Sequence, residues 1–174
     1  MIFMFFLVLA LAFLLIAVHE VGHYLAGLAG GIPAREMKIV LCSFPQHVAV
    51  RDVNRWVSPV RDITRYIAIT RPYFTTRRAA FFWVAGGMVF ELCVTAVVCL
   101  WAGIAGRDGL AFWAARMSLW LYLVNVCLMD LPWALRYRCA AGDTSGLWQI
   151  ARLPAVLLSA AMLSCRVVLV ALTA

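Results

Sequence analysis

Three side chains with clear chemical potential, His19, Glu20 and His23, form an HExxH motif in the run His-Glu-Val-Gly-His. Residues i and i+4 of an α-helix lie on one face, so two imidazoles at this spacing can bind the same metal ion. A glutamate next to the first histidine is placed to act as a general base. The motif therefore predicts a metal-dependent hydrolytic site, with His19 and His23 as ligands and Glu20 as the catalytic base.

The motif lies inside a long apolar segment, from Ile2 to about Ala29, which is long enough to cross a membrane as a helix. Ionisable side chains in such a segment are costly to insert, so a cluster of them indicates a functional site. The segment has no basic region before its apolar stretch and no small-residue cleavage site before the motif. We therefore expect a retained membrane span and not a signal peptide.

The composition also indicates a membrane protein, since 66% of the residues are hydrophobic and only 13% are charged. Soluble domains carry roughly 25% charged residues. The expected fold class is an all-α polytopic membrane protein, with residues 1–174 forming a single membrane-embedded domain. Four apolar runs are predicted to span the membrane, at residues 2–29, 79–104, 110–135 and 154–173.

The basic residues are unevenly placed along the chain, which has a net charge of +7. The connection 33–78 carries nine of the fifteen lysines and arginines, and the connection 136–153 carries three more. The positive-inside rule predicts that both connections, and with them the active-site side, face the cytoplasm. Basic loops beside membrane spans favour the lipid bilayer as a partner and argue against nucleic acid.

The connection 33–78 contains two short β-prone runs, 36–40 and 47–50, separated by Ser43-Phe44-Pro45. This pattern predicts a short re-entrant or interfacial β loop after the first helix. From Val53 to Tyr73, apolar residues alternate with arginines. That stretch is either a basic amphipathic segment at the membrane surface or a plain surface loop.

A catalytic zinc ion takes three protein ligands and leaves one position for water, so the HExxH motif needs a third ligand from elsewhere. We expect one Zn²⁺ ion and consider four candidates, His47, Glu91, Asp130 and Asp143. His47 lies in the basic connection and is interpreted as a loop histidine. Glu91 lies within the second apolar run and is interpreted as a second-shell partner of a ligating histidine. The two aspartates remain as alternatives.

Three parts of the chain match one known family of membrane enzymes. They are the HEVGH run in the first apolar helix, the stretch 84–92 that opens the second, and the stretch from Asn125 through Asp130-Leu131-Pro132 to Asp143-Thr144-Ser145-Gly146. In these features the chain, over about residues 10–155, resembles the site-2 protease family of intramembrane zinc metalloproteases. It departs from the family pattern at positions 87, 91 and 144, where this chain has glycine, glutamate and threonine.

The resemblance implies that Asp143 is the third zinc ligand, with Asp130 as the alternative. Asp143 follows the proline at 132 and precedes the helical run 147–150. A competing interpretation makes Asp143 a helix N-cap. The resemblance also implies a second-shell or substrate-contacting role for Asn125 or Glu91, and a membrane-embedded protein or peptide as the substrate.

The expected reaction is hydrolysis of a peptide bond in or near a transmembrane segment, by zinc-activated water with Glu20 as the base. Two other functions are considered. One is a noncatalytic membrane binding or scaffold module that retains the protease fold. The other is a metal or proton transporter, although transporters usually contain internal repeats and this chain shows none.

Overall fold

The HExxH motif lies in the C-terminal half of the first helix, α1 (Ile2–Ala29), in a computed structural model that describes residues 2–140 and 142–174. The helix ends in a glycine turn, where the Gly31 N–H donates to Leu28 O and the Ile32 N–H donates to Gly27 O, both at 3.0 Å. Gly31 has a φ of 91°, a left-handed conformation that glycine adopts without strain. The turn reverses the chain and brings the following sheet against α1.

The sheet has three antiparallel strands in the order β1 (Met37–Val40), β2 (His47–Asp52) and β3 (Arg55–Val57). The first two strands pair as a hairpin, which confirms that the segment after the first helix forms β structure. The third strand was not predicted. Residues 53–73 are therefore neither one amphipathic segment nor a plain loop, because they contain a strand followed by a short helix. Val57 lies opposite Val50 and is buried, so burial of this side chain draws the segment into the sheet. Only α2 (Ile63–Thr70) is helical there.

Within residues 2–140 and 142–174, four helices are long and apolar enough to cross a membrane, and they correspond to the four predicted spans. Besides α1 they include α3 (Arg77–Ile104) and α7 (Arg152–Leu172). The remaining one begins as α4 (Asp108–Leu123), passes through a π-helical segment (Val124–Asp130) and continues as α5 (Leu131–Tyr137). Pro132 lacks an N–H and its ring crowds the preceding turn, which accounts for the wider turns just before it. The short helix α6 (Asp143–Ile150) precedes α7.

Helices α1 and α3 approach each other closely through glycines. A Cβ atom added at Gly22 would lie 2.5 Å from Gly86 O, and one added at Gly86 would lie 2.6 Å from the Cβ of Ala26. Such distances are shorter than van der Waals contact. The two backbones therefore pack directly on each other, as small residues allow in helical membrane proteins.

A buried ion pair joins α3 to α7. Arg166 is 2% exposed, and its Nη2 donates to a carboxylate oxygen of Glu91. Its Nε donates to Ser118 Oγ on α4 at 3.1 Å, and its guanidinium lies 4.6 Å from the ring centroid of Tyr122. Thr95 Oγ1 also donates to Glu91, at 3.0 Å. Because both charges have hydrogen-bonded partners, three helices are held together at one buried point.

Much of the outer surface of the long helices is apolar and exposed. Large hydrophobic side chains there are half exposed or more, among them Phe6, Leu14, Val97, Leu100, Leu157 and Leu172. Contiguous apolar surface of this kind marks contact with a membrane or another protein. The amino-acid composition and the exposed faces thus agree that the four long helices have the character of membrane spans.

Candidate metal centre

His19, His23 and Asp143 meet at one point, although more than a hundred residues separate the histidines from the aspartate. Asp143 Oδ2 lies 2.8 Å from His19 Nε2 and 3.1 Å from His23 Nε2. The two Nε2 atoms are 3.1 Å apart. Helix α1 supplies both imidazoles from one face, and the first residue of α6 supplies the carboxylate.

The geometry of this group suits a zinc ion. Ligand bonds of about 2.0–2.1 Å in a tetrahedral site place the ligand atoms about 3.3 Å apart. The three observed distances, 2.8, 3.1 and 3.1 Å, are only a few tenths of an ångström shorter. Two imidazoles and one carboxylate are also a ligand set of catalytic zinc sites, in which a fourth position remains for water.

The backbone of α3 fixes the orientation of His23. Its Nδ1 lies 3.1 Å from Trp83 O and donates to it, so the other ring nitrogen, Nε2, points toward Asp143 and His19. In return, Trp83 Nε1 donates to His23 O at 3.2 Å. This reciprocal pair of hydrogen bonds holds the imidazole in an orientation that leaves Nε2 as the nitrogen available to a metal ion.

Glu20 is buried, with 6% of its surface exposed, and is not one of the three grouped ligand residues. Its carboxylate lies within electrostatic range of His23, His19 and Asp143. A residue that is next to the metal ligands without being one of them has the position of a general base.

Asp143 is held as an anion by the histidines. Burial alone would raise the pKa of its carboxyl, but the charge of His23 and the hydrogen bonds from both imidazoles outweigh burial and hold the pKa well below its usual range. Asp143 also begins α6, where the helix dipole favours a negative charge. The carboxylate is thus ready to bind a cation at neutral pH.

The two aspartates left open by the sequence have different positions. The N-cap of α6 is Gly142, so the interpretation of Asp143 as the N-cap is wrong. Asp130 Oδ2 accepts the Ser145 N–H at 2.8 Å and so caps the first turn of α6. The structure therefore places Asp143 in the group that could hold a metal ion, and Asp130 beside the first turn of α6.

The other sequence candidates lie outside the ligand group. His47 Nδ1 donates to Pro45 O at 3.0 Å, within its own loop. Asn125 is exposed on the π-helical segment. Glu91 accepts hydrogen bonds from Arg166 and Thr95. The expectation that Glu91 orients a ligating histidine is therefore wrong, because the carbonyl oxygen of Trp83 accepts the hydrogen bond from His23 Nδ1 instead.

Tyr66 and Trp83 were not identified as part of the site from the sequence. Trp83 is 8% exposed and stacks on Tyr66 with ring centroids 5.6 Å apart. Tyr66 donates from its hydroxyl to Val48 O at 3.0 Å. Burial raises the pKa of Tyr66, and the charges of Glu20 and Asp143 add to the effect.

Gly87 of α3 lies against both metal-binding nitrogens. A Cβ at this position would lie 2.6 Å from His19 Nε2 and closer still to His23 Nε2. We expect Gly87→Ala to displace the imidazoles, at a cost of ~1–3 kcal/mol, and so to weaken zinc binding about tenfold or more. Zinc titration of the purified variant measures this effect.

Gly103→Ala is the matched control, because Gly103 lies on the same helix and a Cβ there would meet no atom of the described residues within 4 Å. This variant should bind zinc like the parent protein. Unchanged zinc affinity in Gly87→Ala would contradict the close approach of α3 to the two imidazoles.

Comparison with protein-family models, curated proteins and solved structures finds no match for this chain. The functional assignment therefore depends on the residues and their geometry.

Proposed function

We propose that this protein is an intramembrane zinc metalloprotease that hydrolyses a peptide bond in or near a transmembrane segment. The observation that carries the proposal is the convergence of His19, His23 and Asp143 on one point, with Glu20 buried beside them. The described residues include four helices long and apolar enough to cross a membrane, and one of them, α1, carries both histidines. A soluble substrate would have little access to such a site, which favours a membrane protein or peptide.

In the proposed reaction, His19, His23 and Asp143 hold one Zn²⁺ ion, which when bound lowers the pKa of water and polarises a carbonyl group. Glu20 accepts the proton released by the attacking water and later delivers it to the leaving amine. Trp83 O keeps His23 oriented through its Nδ1–H. Asp130 keeps the start of α6, and with it Asp143, in place.

The substrate must present an extended backbone, because the amide bonds of an intact helix are enclosed by their own hydrogen bonds. The β loop supports a route for this step. β1 is an edge strand of the sheet, paired with β2 on one side. We propose that a locally unwound substrate segment adds to the sheet as a further strand and so passes close to Glu20.

Turnover of a membrane peptide tests the proposal. Purified, zinc-loaded protein in detergent or a lipid nanodisc should cut a peptide containing one transmembrane helix at a defined bond, and mass spectrometry identifies the two products. Removal of zinc by a chelator should stop the cleavage, and zinc should restore it. A protein that binds zinc stoichiometrically but cleaves none of a panel of such peptides would instead fit the noncatalytic module.

We further propose that the protein is a multi-pass membrane protein whose basic connections and active-site side face the cytoplasm. In a variant with all six cysteines replaced, Asn54→Cys in the exposed β2–β3 turn should react with an impermeant thiol reagent from the cytoplasmic side. Asp108→Cys, at the exposed turn between α3 and α4, should react only from the opposite side. The reverse labelling pattern would overturn the orientation and leave the proposed chemistry intact.

A further inference from the structure

One face of α2 is held against the start of α3. The buried residues of α2, Tyr66 and Thr70, are one turn apart. The ring of Tyr66 stacks on Trp83 with centroids 5.6 Å apart, and its hydroxyl donates to Val48 O at 3.0 Å. Phe74, just beyond the end of α2, also stacks on Trp83, at 4.3 Å. These contacts fix the position of α2 and its rotation about its own axis.

A second stripe of α2 is apolar and exposed. Ile63 and Ile67 are also one turn apart, and they are 39% and 53% exposed. Arg71 lies one turn further on, is exposed, and still has helical backbone angles. Because residues spaced by four share a helix face, the three side chains form one stripe beside the buried face. The stripe consists of two isoleucines followed by an arginine.

The contact with Trp83 places α2 near the end of a helix that has the character of a membrane span. Helix α3 begins at Arg77, and Trp83 follows six residues later. Six residues correspond to about 9 Å along a helix axis. The headgroup region on each side of a bilayer is roughly 5–8 Å deep. The stripe is therefore at the level where α3 would enter a membrane.

The segment around α2 is strongly basic. Residues 60–78 contain five arginines and a single acidic residue, Asp62, whose Oδ1 accepts the Arg65 N–H at 3.0 Å and caps α2. Arg65 pairs with Asp52. The other four are exposed and form no ion pair within residues 2–140 and 142–174, namely Arg61, Arg71, Arg77 and Arg78. An exposed apolar stripe among unpaired arginines is complementary to an anionic lipid surface.

We propose that α2 is an interfacial helix that docks on the anionic leaflet of the membrane around the four long helices. Ile63 and Ile67 enter the boundary between headgroups and acyl chains, and Arg71 lies against lipid phosphates. This surface is separate from the metal group, and docking does not require catalysis. The proposal rests on the multi-pass membrane arrangement proposed above.

Fluorescence quenching in lipid nanodiscs tests the proposal. In the full chain with all six cysteines replaced, Ile67→Cys carries a bimane label, and the nanodiscs contain a lipid with a nitroxide quencher close to its headgroup. We expect stronger quenching when phosphatidylglycerol replaces half of the phosphatidylcholine. Ala68→Cys is the matched control, because Ala68 is exposed about 100° round the same helix. Its label should be quenched less in both nanodiscs.

The contribution of Arg71 is measured with the same label. Arg71→Gln should lower the ratio of docked to undocked α2 about fivefold in nanodiscs with phosphatidylglycerol, the effect of one arginine near an anionic membrane surface. Arg107→Gln makes the same change at the exposed turn between α3 and α4, beyond the other end of α3. It should leave the quenching of Ile67→Cys unchanged.

Two results would each overturn the proposal. Equal quenching of the labels at positions 67 and 68 would show that the stripe does not face lipid. Equal quenching of Ile67→Cys with and without phosphatidylglycerol would show that docking does not depend on anionic lipid.

A third label separates this proposal from the membrane arrangement on which it rests. Val97 is 65% exposed and lies well inside α3. The label of Val97→Cys should be quenched in both nanodiscs by a lipid whose nitroxide lies deep in the acyl chains. No quenching at Val97 would overturn the membrane arrangement itself. Quenching at Val97 without quenching at Ile67 would overturn only the docking of α2, and would assign its stripe to a protein partner.

Discussion

Glu20→Gln is expected to lower peptide hydrolysis about 10²–10⁴-fold, the contribution usual for a general base. Glutamine keeps the size of the side chain but cannot take a proton from water at neutral pH. Glu20 is not among the grouped ligand atoms, so the variant should still bind one zinc ion. Initial rates of peptide cleavage and zinc content, measured on the same preparation, give both quantities.

Glu36→Gln provides the control for this experiment. It makes the same chemical change at a glutamate that accepts a hydrogen bond from Tyr73 and lies in the connection after α1. It should retain close to full activity. If Glu20→Gln cleaves peptide at more than about one hundredth of the parent rate, Glu20 is not the base.

Asp143→Ala is expected to lose zinc. The variant keeps two imidazoles from one helix, and the affinity should fall by more than about 100-fold, beyond the 10–100-fold usual for loss of a second-shell partner. The activity should fall with the zinc content. Isothermal titration with zinc, together with metal analysis after dialysis, measures the change.

Asp130→Ala separates a ligand from a capping residue. The loss of the hydrogen bond to Ser145 N should lower the stability by ~0.5–2 kcal/mol and leave a bound zinc ion. If Asp130→Ala loses zinc while Asp143→Ala keeps it, the assignment of the third ligand is wrong. If both variants keep zinc and activity, the metal centre as described is not the active site.

The helical part of the fold follows directly from the sequence, because apolar runs long enough to cross a membrane are strong local signals. The placement of His19 and His23 follows in the same way, since i and i+4 share a helix face whatever the rest of the chain does. Strand β3, with three residues, is too short for its own alternation of side chains to be recognisable. Its position depends on pairing with β2, which is a tertiary effect.

The sequence could not distinguish Asp143 from Asp130 through local pattern alone. Both are aspartates near the start of α6 in space, and either can cap a helix or bind a metal. The packing of α6 against α3 and α7 decides which aspartate has which role, because it brings the first residue of α6 to the histidines of α1. The same holds for Trp83, whose carbonyl meets His23 only because glycines let α1 and α3 approach closely.

The buried contact between Glu91 and Arg166 also has a consequence for biogenesis. The two residues are 75 positions apart, so in a growing membrane-inserted chain the α3 carboxylate exists for some time without its partner. A charged residue near the centre of a lone span costs roughly 2.5–3.5 kcal/mol to insert. Once α7 is inserted, Arg166 can pair with Glu91 and offset this cost, so assembly of the helices depends on α7.

A chain that lacks α7 should be degraded faster than the full chain in a pulse-chase experiment, and Glu91→Gln in the shortened chain should slow its degradation.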